Sequence, residues 1–363
     1  MAFVPALGGW LVTSRALVVD VLRSPDVYTV DDPRFTTGQL TGPSMLSTDG
    51  QAHDMHRRPF APPFRPRRVT GRFTARIDEL VDDALARLAS WPERTGELRA
   101  ALAGPLAAGV MADMLGLDGS NPSTVGTLLE HYRAMVAAVE ALSAGAEESS
   151  DIVGRGHDAM AAVARLVEGS AGGSLVGEVA SSGQLSAAAT LANVAVVMFG
   201  GIETTEGAIL NAVRHALLTP GLPGRVAAEP GLAGALVDES LRLEPAAAVV
   251  DRYATRDATL AGVAIEAGDL VVVSLAGANR DSAEFDEPDT FRIDRPNARR
   301  HLAFATGPHV CIGLELARLQ AATAVARLFG RFVDVRLGDG APAPTGLVFR
   351  KPTALPITWS ATR

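Results

Sequence analysis

The chain holds one cysteine, Cys311, and the residues around it restrict its fold more than any other feature. They read Phe304-Ala-Thr-Gly307-Pro-His309-Val-Cys311-Ile-Gly313. An isolated cysteine is ordinarily a small buried hydrophobe. This one is framed at fixed offsets by an aromatic ring, two glycines and a histidine. The run that follows, Leu314 to Phe329, has apolar residues at helical spacing and strong helix formers. Cys311 therefore sits near a helix N-terminus, where the macrodipole and free amides favour a negative sulfur. Gly307 and Gly313 permit tight turns and a close backbone approach to a flat ligand. The pattern suits an iron held by a thiolate, which pushes electron density onto the metal and favours O–O cleavage.

With 363 residues, 47% hydrophobic and 20% charged, the chain can bury a substantial core. Its formal charge of −8 argues against general nucleic-acid binding. A single cysteine excludes an intrachain disulfide framework. The start lacks a basic segment followed by an apolar one, and no uninterrupted apolar run approaches a membrane span. These features predict a cytoplasmic protein that binds neither nucleic acid nor membrane. Lys351 is the only lysine; every other basic side chain, the histidines aside, is arginine.

No repeats or low-complexity linkers interrupt the chain. Gly9–Thr13 reads as a short strand, followed by a helix capped by Ser14 and running to about Leu22. Residues 27–50 are turn-rich and read as loop. Helical periodicity covers Val69–Leu88, Leu98–Leu117 and Ser123–Leu142. Between Ser143 and Gly183 the composition predicts one short helix, about 157–168, between mobile loops. A long helix from about Ser186 to Leu217 ends before Pro220, and another covers Leu232–Leu243. Short strands cluster in Ala258–Leu275, and a β-rich tail starts at Val333. Pro59 and Pro62-Pro63 end the helix that carries Arg57.

The long helix contains Phe199-Gly200-Gly201-Ile202-Glu203-Thr204-Thr205. Each interior glycine costs roughly 1 kcal/mol relative to alanine, so the pair needs a reason. Close helix packing is one. The other is a groove: Gly200 and Thr204 fall at i and i+4 on one face, and the threonine hydroxyl can bond the Gly200 carbonyl. Farther on, Glu239-Ser-Leu-Arg242 places opposite charges one turn apart, which alone is usually a weak surface pair.

Together these segments resemble the cytochrome P-450 family, the haem-thiolate monooxygenases of bacteria. The likeness covers roughly residues 8 to 360 and is densest from 190 to 320. It implies a mainly α fold with a minor β region, a triangular helical prism formed by residues 1–363 as one domain, short at its N-terminus. It implies haem b, with Cys311 as axial ligand of the iron and Phe304, Gly307, Gly313, Gly200 and Gly201 against the macrocycle. By the same likeness Thr204 would hydrogen-bond dioxygen at the iron and Glu203 would relay protons towards it. Asp49-Gly-Gln-Ala-His53-Asp-Met-His-Arg57 and Asp251-Arg252 match segments that, with His309, would clamp the haem propionates. Glu239, Arg242 and Arg295 would form a buried ionic support beneath the cysteine. Basic residues from Arg57 to Arg68 and at Arg299, Arg300 and Arg318 would receive a ferredoxin or flavodoxin-type electron donor.

The implied reaction is hydroxylation or epoxidation of a small apolar organic or secondary-metabolite substrate, since Ala246–Val250 announces no charged ligand. Two rivals are a haem-thiolate enzyme that couples rings or uses peroxide, and a catalytically silent auxiliary subunit. Ala305 and Gln320 depart from the family's usual glycine and glutamate.

Overall fold

The computed structural model describes residues 1–168 and 174–363. Its axis is the helix Ala187–Leu218, capped where Ser186 accepts a hydrogen bond from the Ala189 amide. By length and composition this helix could cross a membrane, but much of its apolar surface is buried inside the protein. The helices Gly104–Leu115, Pro122–Ser143, Leu232–Leu243 and Leu314–Arg331 pack around it. Side chains of all five merge into one apolar core. Gly201 belongs to that packing, since a Cβ there would collide with the sulfur of Met111.

The periodic segments fold as read, with shifts at their ends. Pro66–Ala89 starts on a proline, whose missing N–H costs nothing in a first turn. Pro122–Ser143 is capped by Asn121, which accepts from the Ser123 amide. The segment read as one helix from Leu98 begins instead with a π-helical turn, Arg99–Ala103, before Gly104–Leu115.

Two loop expectations are corrected. The region after Ser143 holds a long helix, Asp151–Val167, and a second, Leu175–Ser182. Val153, Gly156, Ala159 and Val163 form a buried stripe on the first. Gly156 lets it approach Ala138 of the neighbouring helix more closely than a Cβ would allow. Glycine and serine diluted the periodicity that tertiary packing completes. Residues 169–173, within the region read as mobile loop, lie outside the described residues. Residues 27–50 are likewise not all loop, since they contain the strand Tyr28–Thr29 and the helix Thr36–Thr41.

A five-stranded sheet flanks the helices. Its order is Ala2–Val4, Gly9–Val12, Leu270–Ser274, Val249–Ala254, Tyr28–Thr29. Only the Gly9–Val12 and Leu270–Ser274 pair is parallel. A second apolar cluster, including Val18, Val21, Val271 and Val273, fixes this sheet to the first helix, Arg15–Leu22. Strand Val249–Ala254 delivers Arg252 to the protein interior. Near the C-terminus, Pro356–Thr358 pairs with Thr95–Glu97, and Lys351 meets the long helix where Gly207 leaves room for its stem.

Candidate active site

The cysteine loop is shaped by backbone bonds. The Cys311 amide donates to the Phe304 carbonyl at 2.9 Å, and the Val310 amide to Gly307 at 3.2 Å. Gly307 has φ +77°, and a Cβ there would run into the Leu22 carbonyl. Its glycine is thus required by the turn and by contact with the first helix. Gly313 caps the helix Leu314–Arg331, so Cys311 lies two residues before the cap. Ala305 sits at φ 56°, a left-handed conformation that suits glycine better.

Cys311 lines an interior cavity of about 310 Å³, and its thiol is largely enclosed by protein. Burial pushes the thiol pKa up, opposed by the Gly313 amide and the Arg57 charge. Phe304, His309, Gly313, Arg57 and Arg252 share the lining, whereas Gly307 and His53 do not reach it. Gly200, Gly201 and Thr204 from the long helix also line it. A Cβ on Gly200 would meet nothing within 4 Å, so this glycine leaves open space in the cavity wall. Thr204 Oγ1 donates to the Gly200 carbonyl at 2.6 Å, as the i, i+4 spacing predicts.

One edge of the cavity is rich in cations and imidazoles. Arg252 is buried, and its Nη1 donates to the carbonyl of Asp251 at 2.7 Å. Burial pulls its pKa down to about 10, against the pull of Asp49 and Asp251. Arg57 Nη2 donates to the Val310 carbonyl at 2.6 Å, and burial lowers its pKa too. Both ring nitrogens of buried His53 lack a side-chain partner among the described residues. Its ring stands edge-on to His309 at 4.3 Å. His309 Nε2 is 2.7 Å from Asp49 Oδ1. Burial would raise the Asp49 carboxyl, but bonds from His309, Thr29 and the Val30 amide outweigh it and hold the pKa at about 2.

Buried cations without carboxylate partners are costly unless an anion joins them. A flat apolar ligand carrying two carboxylates, beside a lone thiol, meets these demands. The residues present therefore fit haem.

Beneath the loop, Glu239 lies between two arginines. Arg242 forks onto it with two bonds of 2.8 Å, and Arg295 Nε approaches at 3.0 and 3.1 Å. The remaining guanidinium nitrogens donate to carbonyls of Asn279, Asp286, Glu287, Pro288 and Thr290. All three side chains are buried. The sequence pair at 239 and 242 is thus a core element and not a surface pair.

Glu203 is not among the residues that line the cavity with Thr204. It is buried and turned into a separate cluster, with Lys351 Nζ at 2.7 Å and the Tyr132 hydroxyl donating at 2.7 Å. The lining is also less uniformly apolar than Ala246–Val250 suggested. Asp251 lines it, its carboxyl without a hydrogen-bond partner among the described residues and its pKa raised by burial.

The arginine patch divides. Arg58, Arg65, Arg67 and Arg68 are exposed, with no ion pair among the described residues. Arg300 is paired with Glu284 at 2.9 Å and Arg318 with Asp238 at 2.6 Å.

The Cytochrome P450 family profile matches residues 232–347. A "Putative cytochrome P450 140" from Mycobacterium tuberculosis is 40% identical over 168 residues, 46% of this chain and 38% of that protein. This match therefore spans well under half of that relative. Nocardicin C N-oxygenase from Nocardia uniformis is 31% identical over 383 aligned positions, covering 96% of this chain and 89% of that one. Among solved structures, ligand-free CYP164A2 from Mycobacterium smegmatis superposes with a TM-score of 0.85 at 29% identity, covering 98% and 92% of the two chains. A thiol-bearing loop, a Gly–Thr helix face and a buried Glu–Arg–Arg support recur here on one scaffold, and the chain belongs to the cytochrome P450 family.

Proposed function

We propose that this protein is a haem-thiolate monooxygenase, reading residues 1–363 as one catalytic domain. The observation that carries the proposal is the single cysteine lining a cavity that also holds Thr204, Arg57 and Arg252, the two arginines without an ion pair among the described residues. Cys311 would hold the iron, Arg57, Arg252, His53 and His309 would hold the propionates, and Gly200, Gly201, Phe304, Gly307 and Gly313 would border the macrocycle. With one cysteine available for iron, covalent attachment through a second is excluded, which favours haem b. Bound there, the group supplies the redox chemistry that reduces and splits dioxygen with two electrons and two protons.

The protein's own tasks follow from the geometry. The Gly313 amide and the Arg57 charge favour the Cys311 thiolate against the burial that opposes it. Thr204 can swing its hydroxyl from the Gly200 carbonyl to a ligand in the cavity and pass on a proton. Apolar walls exclude bulk water. Glu239, Arg242 and Arg295 keep the segment under the loop rigid.

The substrate is a small, largely apolar organic molecule, with Asp251 the acidic lining residue available to a donor or cation. The relative named as an N-oxygenase is consistent with a tailoring role on such molecules. Exposed Arg58, Arg65, Arg67 and Arg68 form the dock for an acidic ferredoxin or flavodoxin-type donor.

The absorption spectrum of the dithionite-reduced protein under carbon monoxide tests this reading. We expect the long-wavelength Soret band of thiolate ligation in the wild type and its loss in Cys311→His. A histidine-type band in the wild type refutes the thiolate assignment.

A further inference from the structure

The only lysine in the chain is spent on a buried cluster behind the long helix. Lys351 Nζ lies 2.7 Å from Glu203 Oε1, 2.6 Å from Glu206 Oε1 and 3.1 Å from the Tyr132 hydroxyl. Tyr132 in turn donates to Glu203 Oε2 at 2.7 Å. Arg99, from the π-helical turn, donates to Glu206 Oε1 at 2.8 Å. Glu140 is exposed on the Tyr132 helix and feels the charges of Glu203 and Lys351. Two carboxylates thus meet two cations, and charge alone would be balanced.

Two details point past a structural role. Glu206 Oε2 is buried with no hydrogen-bond partner. Gly104 faces it, where a Cβ would come within 2.8 Å, so the fold keeps space beside an unsatisfied oxygen. A half-satisfied buried network is a poor stabilising device. The cluster also grades from solvent inward. The Arg99 side chain is 25% exposed, Lys351 11%, Glu203 3% and Glu206 0%. The next residue along the helix from Glu203 is Thr204, which faces the cavity.

We propose that Lys351 and Glu206 form the inlet that returns protons from solvent to Glu203, with Lys351 the positioning residue that holds Glu203 in its loading position. This rests on the monooxygenase reading above. A proton passes from Lys351 Nζ directly to Glu203 Oε1, or through the Tyr132 hydroxyl to Glu203 Oε2, and the amine regains one from water. Arg99 stays charged throughout and anchors Glu206. The reaction served is RH + O2 + 2e⁻ + 2H⁺ → ROH + H2O, the electrons coming from a reduced iron–sulfur or flavin protein. If protons arrive by the wrong route, the same electrons give O2 + 2e⁻ + 2H⁺ → H2O2. Peroxide supplied directly, RH + H2O2 → ROH + H2O, needs no inlet.

Because the lysine is unique, labelling with 15N-lysine yields one Nζ signal, read without reference to turnover. We expect an ammonium signal in slow exchange with water, displaced by Glu203→Gln and by Glu206→Gln but not by the exposed control Asp158→Asn. A fast-exchanging signal indifferent to both glutamate variants overturns the proposal. In turnover, Lys351→Met and Glu206→Gln should lower product per electron pair on the dioxygen route at least ~10-fold, a modest share of what acid–base groups contribute. Lys351→Arg keeps the charge but cannot give up a proton, so it should recover little of that loss. Peroxide-driven turnover should stay within about twofold of wild type. An equal fall on both routes, or no fall on either, refutes the inlet. The carbon monoxide spectrum of each variant keeps the two readings apart, since a normal thiolate band with unchanged coupling sinks the inlet alone.

Discussion

The protein buries two charge networks, and they are built to opposite rules. Under the cysteine loop, Glu239 receives Arg242 and Arg295, and the guanidinium groups spend their other donors on backbone carbonyls. Behind the long helix, Glu203 and Glu206 share Lys351, Tyr132 and Arg99, yet Glu206 Oε2 remains unpaired. The first is closed, fully bonded and away from water. The second touches solvent at one end and holds a spare lone pair at the other. A satisfied network specifies structure, whereas an unsatisfied one leaves protons and side chains somewhere to go.

Removing a partner from the closed network should have the largest effect on stability. Arg295→Ala leaves Glu239 short of a charge in the core, and we expect a loss of about 3–5 kcal/mol, read by chemical denaturation. Lys351→Met should cost less, about 1–3 kcal/mol, because its cluster already meets solvent and keeps Arg99. If both variants lose the same stability and neither alters coupling, the contrast between the networks disappears.

Acid should act beside the closed network. His215 stacks on Phe291, bonds Ser240 at 2.9 Å and lies beside the closed network. Burial holds its pKa at about 4, with the Arg214, Arg280 and Arg242 charges adding to the effect and Glu239 opposing it. The unfolded chain therefore takes up this proton first, so stability is full above about pH 6.5 and declines as pH falls towards 4. The loss attributable to His215 should approach about 2–3 kcal/mol. His215→Gln should flatten that part of the stability profile, as measured by denaturation midpoints from pH 7 to 4.

The smallest effect expected is a gain. Ala305 occupies a left-handed position in the cysteine loop. Ala305→Gly relieves the strain but loosens the unfolded chain, leaving a net stabilisation of up to about 1 kcal/mol. An unchanged or lower melting temperature would show that the loop absorbs the strain elsewhere.

Those two networks also mark the limits of reading the chain alone. Glu239 and Arg242 are one helical turn apart, and Gly200 and Thr204 likewise, so spacing exposed both pairs before any fold was known. Lys351 and Glu206 are 145 residues apart, and no local pattern links them. The same holds for Asp49 and His309, separated by 260 residues. Glu203 shows the intermediate case, where its position on the helix was legible but its direction was not.

By itself, the sequence determined the helices with strong periodicity, the cysteine loop and the family they belong to, because each signal is complete within one or two helical turns. Tertiary structure decided the rest. It turned Asp151–Val167 into a helix by supplying a partner for its small-residue stripe. It also turned Glu203 away from the cavity by bringing the chain's only lysine across Gly207, a contact settled by how the C-terminal strands pack.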